Sequence, residues 1–148
     1  MKLKVAWIGK TKEPAIQSLT DEYLQRIGRY VPIEGVSLKD EAALKGLGGR
    51  GSRPHTHHHI VLLDSRGKQM SSEELARFLG DYQDRNPLPL VFAIGPANGF
   101  SDEMRQSASF LLSLGKMTLA HELARVVLLE QIYRAFTILK GHPYHLGH

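Results

Sequence analysis

Leu90-Val91-Phe92-Ala93-Ile94-Gly95-Pro96-Ala97-Asn98-Gly99-Phe100-Ser101-Asp102-Glu103 is the stretch on which the fold turns. A continuous apolar run closed by glycine reads as a strand buried on both faces, the pattern of a parallel sheet. Ser101 followed by two carboxylates opens a helix, with negative charge at its positive end. Strand, glycine turn and helix in immediate succession make half of a βαβ unit, and the same cadence recurs on either side.

Upstream, Leu3–Ile8 reads as a strand closed by Gly9. Pro14 suits the first turn of a helix, and Ile16, Leu19, Tyr23, Ile27 and Tyr30 recur at spacings of three and four, carrying it to about Tyr30. Ile33–Leu38 is a second strand, and a short helix follows over Asp40 to Lys45. Gly46 to Pro54 holds four glycines and a proline in nine residues, which is a loop. Ile60 to Leu63 is a short strand ending at Asp64, which could be an acid or base or could cap the turn Ser65-Arg66-Gly67; the cap is preferred. Ser71 and Glu74 have capping-box spacing, ahead of a helix whose buried face is Leu75, Phe78, Leu79 and Tyr82. After the opening stretch, Phe110 to Leu114 is a strand. Thr118 caps the last helix, which runs to about Lys140 before Gly141 and Pro143 stop it. The pattern predicts one α/β domain over residues 1–148: a mostly parallel sheet of five to six strands with helices on both faces. Ligands on such sheets gather at the carboxyl ends of strands. Three ends stand out: Leu63-Asp64, Gly95 to Gly99, and Leu114 to Thr118.

Composition narrows the chemistry. The chain has 148 residues, 42% of them hydrophobic and 23% charged, which is ordinary for a globular protein and argues against disorder. The absence of cysteine removes disulfides, thiolate metal sites and thiol nucleophiles. No apolar run approaches the roughly 18 residues of a membrane helix. Val5 to Ile8 is too short for the core of a signal peptide. A soluble, cytoplasmic protein without membrane contact is expected. The formal charge of +4 is unevenly placed: residues 1–60 carry ten Lys/Arg against six Asp/Glu, and residues 61–148 carry nine against nine. The first half is therefore the better candidate for a polyanion contact. Lys45, Arg50 and Arg53, around the glycine-rich loop, belong to that basic half.

Several constellations could carry chemistry. Gly95 to Phe100 brings bare backbone to a strand end, where free N–H groups can hold polar atoms. Its spacing is neither a dinucleotide fingerprint nor a P-loop, and a plain tight turn is the alternative. His55-Thr56-His57-His58-His59 invites a metal reading. Adjacent residues of an extended segment point to opposite sides, however, so few can converge, and a surface loop is preferred. The last helix is apolar round nearly its whole circumference and must be buried on several sides, within one core or against a second subunit. Inside it, Glu122 can pair with Arg125 and Glu130 with Arg134. Arg134 is either half of a structural pair or a group that faces an anion. The tail from His142 to His148 either frays or folds over a site, where Tyr144 would stack on a base and His145 would move a proton.

Ser113-Leu114-Gly115-Lys116-Met117-Thr118, His121, Ala124-Arg125-Val126, Glu130-Gln131-Ile132-Tyr133-Arg134-Ala135 and His142-Pro143-Tyr144-His145 together resemble the RlmH family. These are the small SPOUT-class methyltransferases of the bacterial large ribosomal subunit, and the resemblance covers essentially the whole chain. It implies a C-terminal deep trefoil knot, which periodicity could not suggest because connections normally do not thread. It also implies a homodimer with its site near the subunit interface. The implied activity is transfer of a methyl group from S-adenosylmethionine to N3 of a pseudouridine in large-subunit ribosomal RNA; the partner is RNA or the ribosome, not DNA. Carried onto this chain, the cofactor pocket would use Leu63, Gly95, Leu114, Gly115, Lys116, Met117, Thr118 and Leu119. Tyr133, Arg134, His142, Tyr144 and His145 would face the RNA. Two positions depart from the family pattern: Pro96 stands where a second glycine is usual, which removes a backbone N–H, and Gly115 stands where serine is frequent.

On that reading no metal is needed, because a sulfonium methyl is already activated. The imide N3 must lose its proton. His145 is the first candidate base, Glu130 the second, and Arg134 would stabilise the developing anion. A non-catalytic nucleotide- or S-adenosylmethionine-binding module is the competing class. A metal-dependent hydrolase would rest only on the histidine cluster.

Overall fold

The computed structural model describes residues 1–47 and 58–146. Arg50, Arg53, His55 and His57 lie outside the described residues. The elements in chain order are β1 (Leu3–Ile8), α1 (Pro14–Gly28), β2 (Ile33–Leu38), α2 (Glu41–Lys45), β3 (His59–Gln69), α3 (Ser72–Arg85), β4 (Leu90–Ile94), α4 (Asp102–Ser107), β5 (Phe110–Ser113) and α5 (His121–Lys140), then a 3-10 turn over Pro143–His145. Five strands form one sheet in the order β2-β1-β4-β3-β5. Every neighbouring pair is parallel.

Strand alternation divides the core into two layers. Leu3, Val5 and Trp7 of β1 and Leu90, Phe92 and Ile94 of β4 face one side, where Ile27 of α1, Leu79 of α3 and Leu128, Ile132 and Phe136 of α5 pack. Ala6, Val91 and Ala93 face the other side, against Leu44 of α2 and Met104 of α4. Helices thus cover both faces. β4 is buried at every position because it is the central strand, flanked by β1 and β3. No helix among the described residues is long and apolar enough to cross a membrane.

Local signals place most of the boundaries. Pro14 opens α1. Ser71 and Glu74 form both halves of the capping box of α3. Gly141, at φ +71°, closes α5 in the left-handed conformation that glycine adopts without strain. Three expectations need correction. First, α1 ends at Gly28, short of Tyr30, whose N–H turns back onto the carbonyl of Ile27. Second, β3 does not stop at Asp64. The capped turn forms, with Asp64 Oδ1 accepting from the N–H of Arg66 at 2.9 Å. The strand then resumes: Leu63 and Lys68 both pair with Leu112, so residues 64–67 bulge out between two stretches of ladder. Third, Thr118 is not the cap of α5. The helix starts at His121, and Ala120 at its N-cap makes no side-chain cap. Residues 114–120 are instead loop at the strand ends.

Candidate active site

A cleft of about 360 Å³ opens at the carboxyl ends of β3, β4 and β5. It is built by the three strand ends singled out in the sequence. Leu63, Gly95, Leu114, Gly115, Met117, Thr118 and Leu119 line it; Lys116 does not. A Cβ on Gly95 would lie 3.2 Å from the Phe100 ring, so glycine lets that ring close the turn. The turn itself is held by the N–H of Gly99 on the carbonyl of Pro96 at 2.8 Å. Pro96 therefore occupies a turn position in which its carbonyl, not an N–H, is used. Gly115 has φ +141°, a conformation that side chains strain. Ser113 Oγ fastens it, donating to the carbonyl of Gly115 at 3.0 Å and accepting from its N–H at 3.2 Å. Met117 is 86% exposed, so the loop faces outward on one side of the cleft.

The rim carries groups that pattern reading did not assign to a site. Asp64 is nearly buried, and its Oδ2 lies 3.4 Å from Arg105 Nη1. Arg105 also donates to the carbonyl of Phe100 at 2.6 Å and pairs with Asp102, which raises its pKa further. His121 and Asn98 complete the wall. Asp64 is marked by its strand end alone, which fits a turn cap as well as an acid or base; Arg105, on α4, carries no local mark of a site. Lys45 is held in an ion pair with Glu103.

The first turn of α5 is tied to the start of α1, on the same face of the sheet. Glu122 and Arg125 do not form the expected direct pair. Glu122 accepts from the N–H groups of Lys12 and Glu13 at 3.2–3.3 Å and so caps α1, which has no cap of its own. Arg125 is buried, stacks 4.0 Å over the Trp7 ring and donates to Thr11 and Thr20 at 2.9 and 3.3 Å. Desolvation lowers its pKa; the ring and the two hydroxyls offset that cost. Burial pushes the Glu122 carboxyl up, but the two backbone donors, together with Arg125 and His121, hold the pKa below 4.5. A lowered folded-state pKa contributes stability that is present above the ordinary value and lost as pH falls through the lowered one. Glu122→Gln should therefore flatten the acid limb: between about pH 5 and pH 3 its urea midpoint should fall less than that of the parent protein.

A second cluster joins the far half of α5 to the tail. Arg134 Nε and Nη2 make a bidentate pair with Glu130 at 3.1 Å each. Arg134 Nη1 contacts His145 Nδ1 at 2.9 Å, and the guanidinium lies 4.9 Å over the Tyr144 ring. Tyr144 donates to Glu130 at 3.3 Å; burial and Glu130 push its pKa up to about 12. The Tyr133 ring meets Tyr144 edge-on at 4.8 Å, and His142 Nδ1 is 2.6 Å from Tyr30 Oη. His145 Nε2 lies 2.7 Å from Glu73 Oε1. The sequence-predicted residues Glu130, Tyr133, Arg134, Tyr144 and His145 are thus brought together, with Glu73 and Tyr30 added from α3 and from the turn that follows α1. The cluster does not line the cleft within one chain. Ala124 is the last α5 residue on the cleft wall; at 1.5 Å rise per residue Arg134 lies about 15 Å farther along the helix.

Comparison with known proteins agrees with this architecture. A family model described as "Predicted SPOUT methyltransferase" matches residues 1–145. A protein of Koribacter versatilis named ribosomal RNA large subunit methyltransferase H is 60% identical over 148 residues, covering 100% of both chains. One of the same name from Geotalea daltonii is 48% identical, covering 98% of this chain and 99% of its own. Among solved structures, a probable methylase family protein from Haemophilus influenzae superposes with TM-score 0.61 at 9% identity, covering 97% of this chain and 70% of that one. A tRNA (m1G37) methyltransferase from Aquifex aeolicus gives 0.55 at 14% identity, covering 100% and 73%. At such identities these structures speak for the fold alone. With family model and relatives spanning nearly every residue, the chain belongs to the SPOUT methyltransferases and, within them, to the family of ribosomal RNA large subunit methyltransferase H.

Proposed function

We propose that this protein transfers a methyl group from S-adenosylmethionine to N3 of a pseudouridine in large-subunit ribosomal RNA, acting in the cytoplasm as a homodimer with a threaded, trefoil-knotted C-terminal segment. The observation that carries the reading is the cleft: three strand ends far apart in sequence converge on it with seven of the eight expected cofactor residues. The lining suits that cofactor. Gly95 and Gly115 let backbone approach it, Leu63, Leu114 and Leu119 supply apolar walls for an adenine, and the volume lies in the range of small-molecule sites. The names carried by the relatives support the RNA substrate.

When bound, S-adenosylmethionine supplies an activated methyl on a sulfonium. The protein must bring N3 within about 3–3.5 Å of it. Within one chain the Arg134 cluster stands about 15 Å too far along α5, so a second copy would bring its own cluster to the cleft. Leu123 and Val127, exposed one turn apart on α5, with exposed Leu119 in the loop before it, would form the apolar face for that contact. At the base, Arg134 would turn its Nη1 from His145 to the imide oxygen, freeing Nδ1 of His145 to take the N3 proton. Lys45, Arg50 and Arg53 would meet phosphates, giving salt-dependent affinity.

The test is transfer of labelled methyl to large subunits or ribosomes lacking the modification, with free ribosomal RNA as comparison. Incorporation at one pseudouridine is expected. S-adenosylmethionine or S-adenosylhomocysteine at a hundredfold excess over Kd should add about 2.7 kcal/mol of stability. No thermal shift with either ligand, or no incorporation into any particle, would overturn the reading.

A further inference from the structure

We propose that Glu73, on the first turn of α3, is a positioning residue for the methyl transfer: its carboxylate fixes His145 in the tautomer that presents Nδ1 as the proton acceptor. The proposal rests on the reading of His145 as the base.

The argument starts from the donors and acceptors that face the ring. Arg134 approaches Nδ1 from α5 at 2.9 Å, with Glu130 behind it. Tyr144 is the adjacent residue of the tail, and Glu73 Oε1 faces Nε2 from α3 at 2.7 Å. A guanidinium has no lone pair to offer, so Nδ1 must be the acceptor of that contact. The ring proton then sits on Nε2, and Nε2–H donates to Glu73. The two neighbours specify the same tautomer from opposite sides, in the way a carboxylate orients the imidazole of a catalytic triad. The capping box of α3 is made by Ser71 and Glu74 and does not need Glu73; the local bonds of the Glu73 carboxylate, from its own N–H and from Ser71, come after the one from His145. It does not line the cleft. The Glu73 carboxyl is held below its ordinary value, first by the bond from His145.

The experiment compares Glu73→Gln, Glu73→Ala and His145→Ala in methyl transfer to unmodified large subunits across pH. The His145 ring is followed by NMR, its signal assigned by its loss in His145→Ala. Glu73→Ala should lower kcat about ten- to a hundredfold, the range for outer partners that orient a functional imidazole, with KM and cofactor affinity unchanged. Glu73→Gln keeps an oxygen that accepts from Nε2–H, so it should recover most of kcat. Tautomer-sensitive nitrogen shifts of the ring should keep the Nε2–H pattern in Glu73→Gln and move toward a mixture of tautomers in Glu73→Ala. Wild-type kcat and an unchanged tautomer in Glu73→Ala would overturn the proposal. So would a Glu73→Gln as slow as Glu73→Ala with the ring still in the Nε2–H tautomer. Full turnover in His145→Ala would remove the base assignment and this proposal with it; an inactive His145→Ala beside a silent Glu73→Ala removes Glu73 alone. Thermal midpoints equal to the parent protein exclude a folding defect, as expected for an exposed side chain outside the cap.

Discussion

Gly67→Ala should cost about 3 kcal/mol of unfolding free energy, a value at the upper end for overpacking by a single methyl. A Cβ at Gly67 would stand 2.5 Å from the carbonyl carbon of Leu111, 2.6 Å from its oxygen and 2.7 Å from the nitrogen of Leu112. These are backbone atoms of β5 and cannot rotate aside, as a side-chain tip could. The φ angle of Gly67 is not in the left-handed region, so the cost is steric contact and not backbone strain. Relief requires the 64–67 bulge and the end of β5 to separate. Ser113, Leu114 and Gly115 follow directly on that strand end and line the cleft, so affinity for S-adenosylmethionine should fall with stability. Denaturant unfolding checks it: the midpoint should drop with m unchanged. Gly28→Ala is the control, since nothing lies within 4 Å of its Cβ position; it should be neutral or slightly stabilising. A Gly67→Ala midpoint equal to that of the control would show that the bulge is not packed on β5 as described.

The same bulge marks where sequence reading stops. β1, β2 and β4 are legible because each is a short apolar or alternating run between turn residues, and parallel pairing needs no more than that. Asp64-Ser65-Arg66-Gly67 has every mark of a turn and does form one. The return of the chain to the same partner residue, Leu112, is a tertiary event with no local signature. Thr118 misleads for a related reason: a good capping residue near an apolar helix does not cap when residues 114–120 are used as cleft wall. Charge pairing follows the same division. Glu130 and Arg134 are neighbours on one helix face, and the i, i+4 rule finds them. Glu122 and Arg125 fit a local rule equally well, yet each goes to a partner more than a hundred residues away. The cleft was legible because strand ends are dictated by topology. Glu73 was not, because its contact with His145 depends on how a seven-residue-scale tail lies across α3, about which helix periodicity carries no information.

Two inactive variants should restore one another when mixed, if the site is completed across two subunits. Gly95→Val places bulk against Phe100, whose ring lies 3.2 Å from the Cβ position, and should abolish cofactor binding while leaving the α5–tail cluster intact. His145→Ala should keep cofactor binding and lose about 10²- to 10⁴-fold in kcat, the usual contribution of a general base. After dissociation and reassociation at equal concentrations, about half of the dimers pair one variant with the other. In each mixed dimer, one site joins the damaged cleft to the damaged tail, and the other joins an intact cleft to an intact tail. Activity should therefore return to about a quarter of the parent level. A site completed within one chain predicts no recovery, because each protomer then keeps its own defect in its own site. The separation of about 15 Å along α5 between the cleft wall and Arg134 favours recovery: the bidentate pair with Glu130 holds the guanidinium at that distance, and a proton acceptor at such range cannot serve a methyl transfer. Absence of recovery, with mixed dimers verified by mass, would require the tail to refold onto its own cleft and would break the ion pairs that now anchor it.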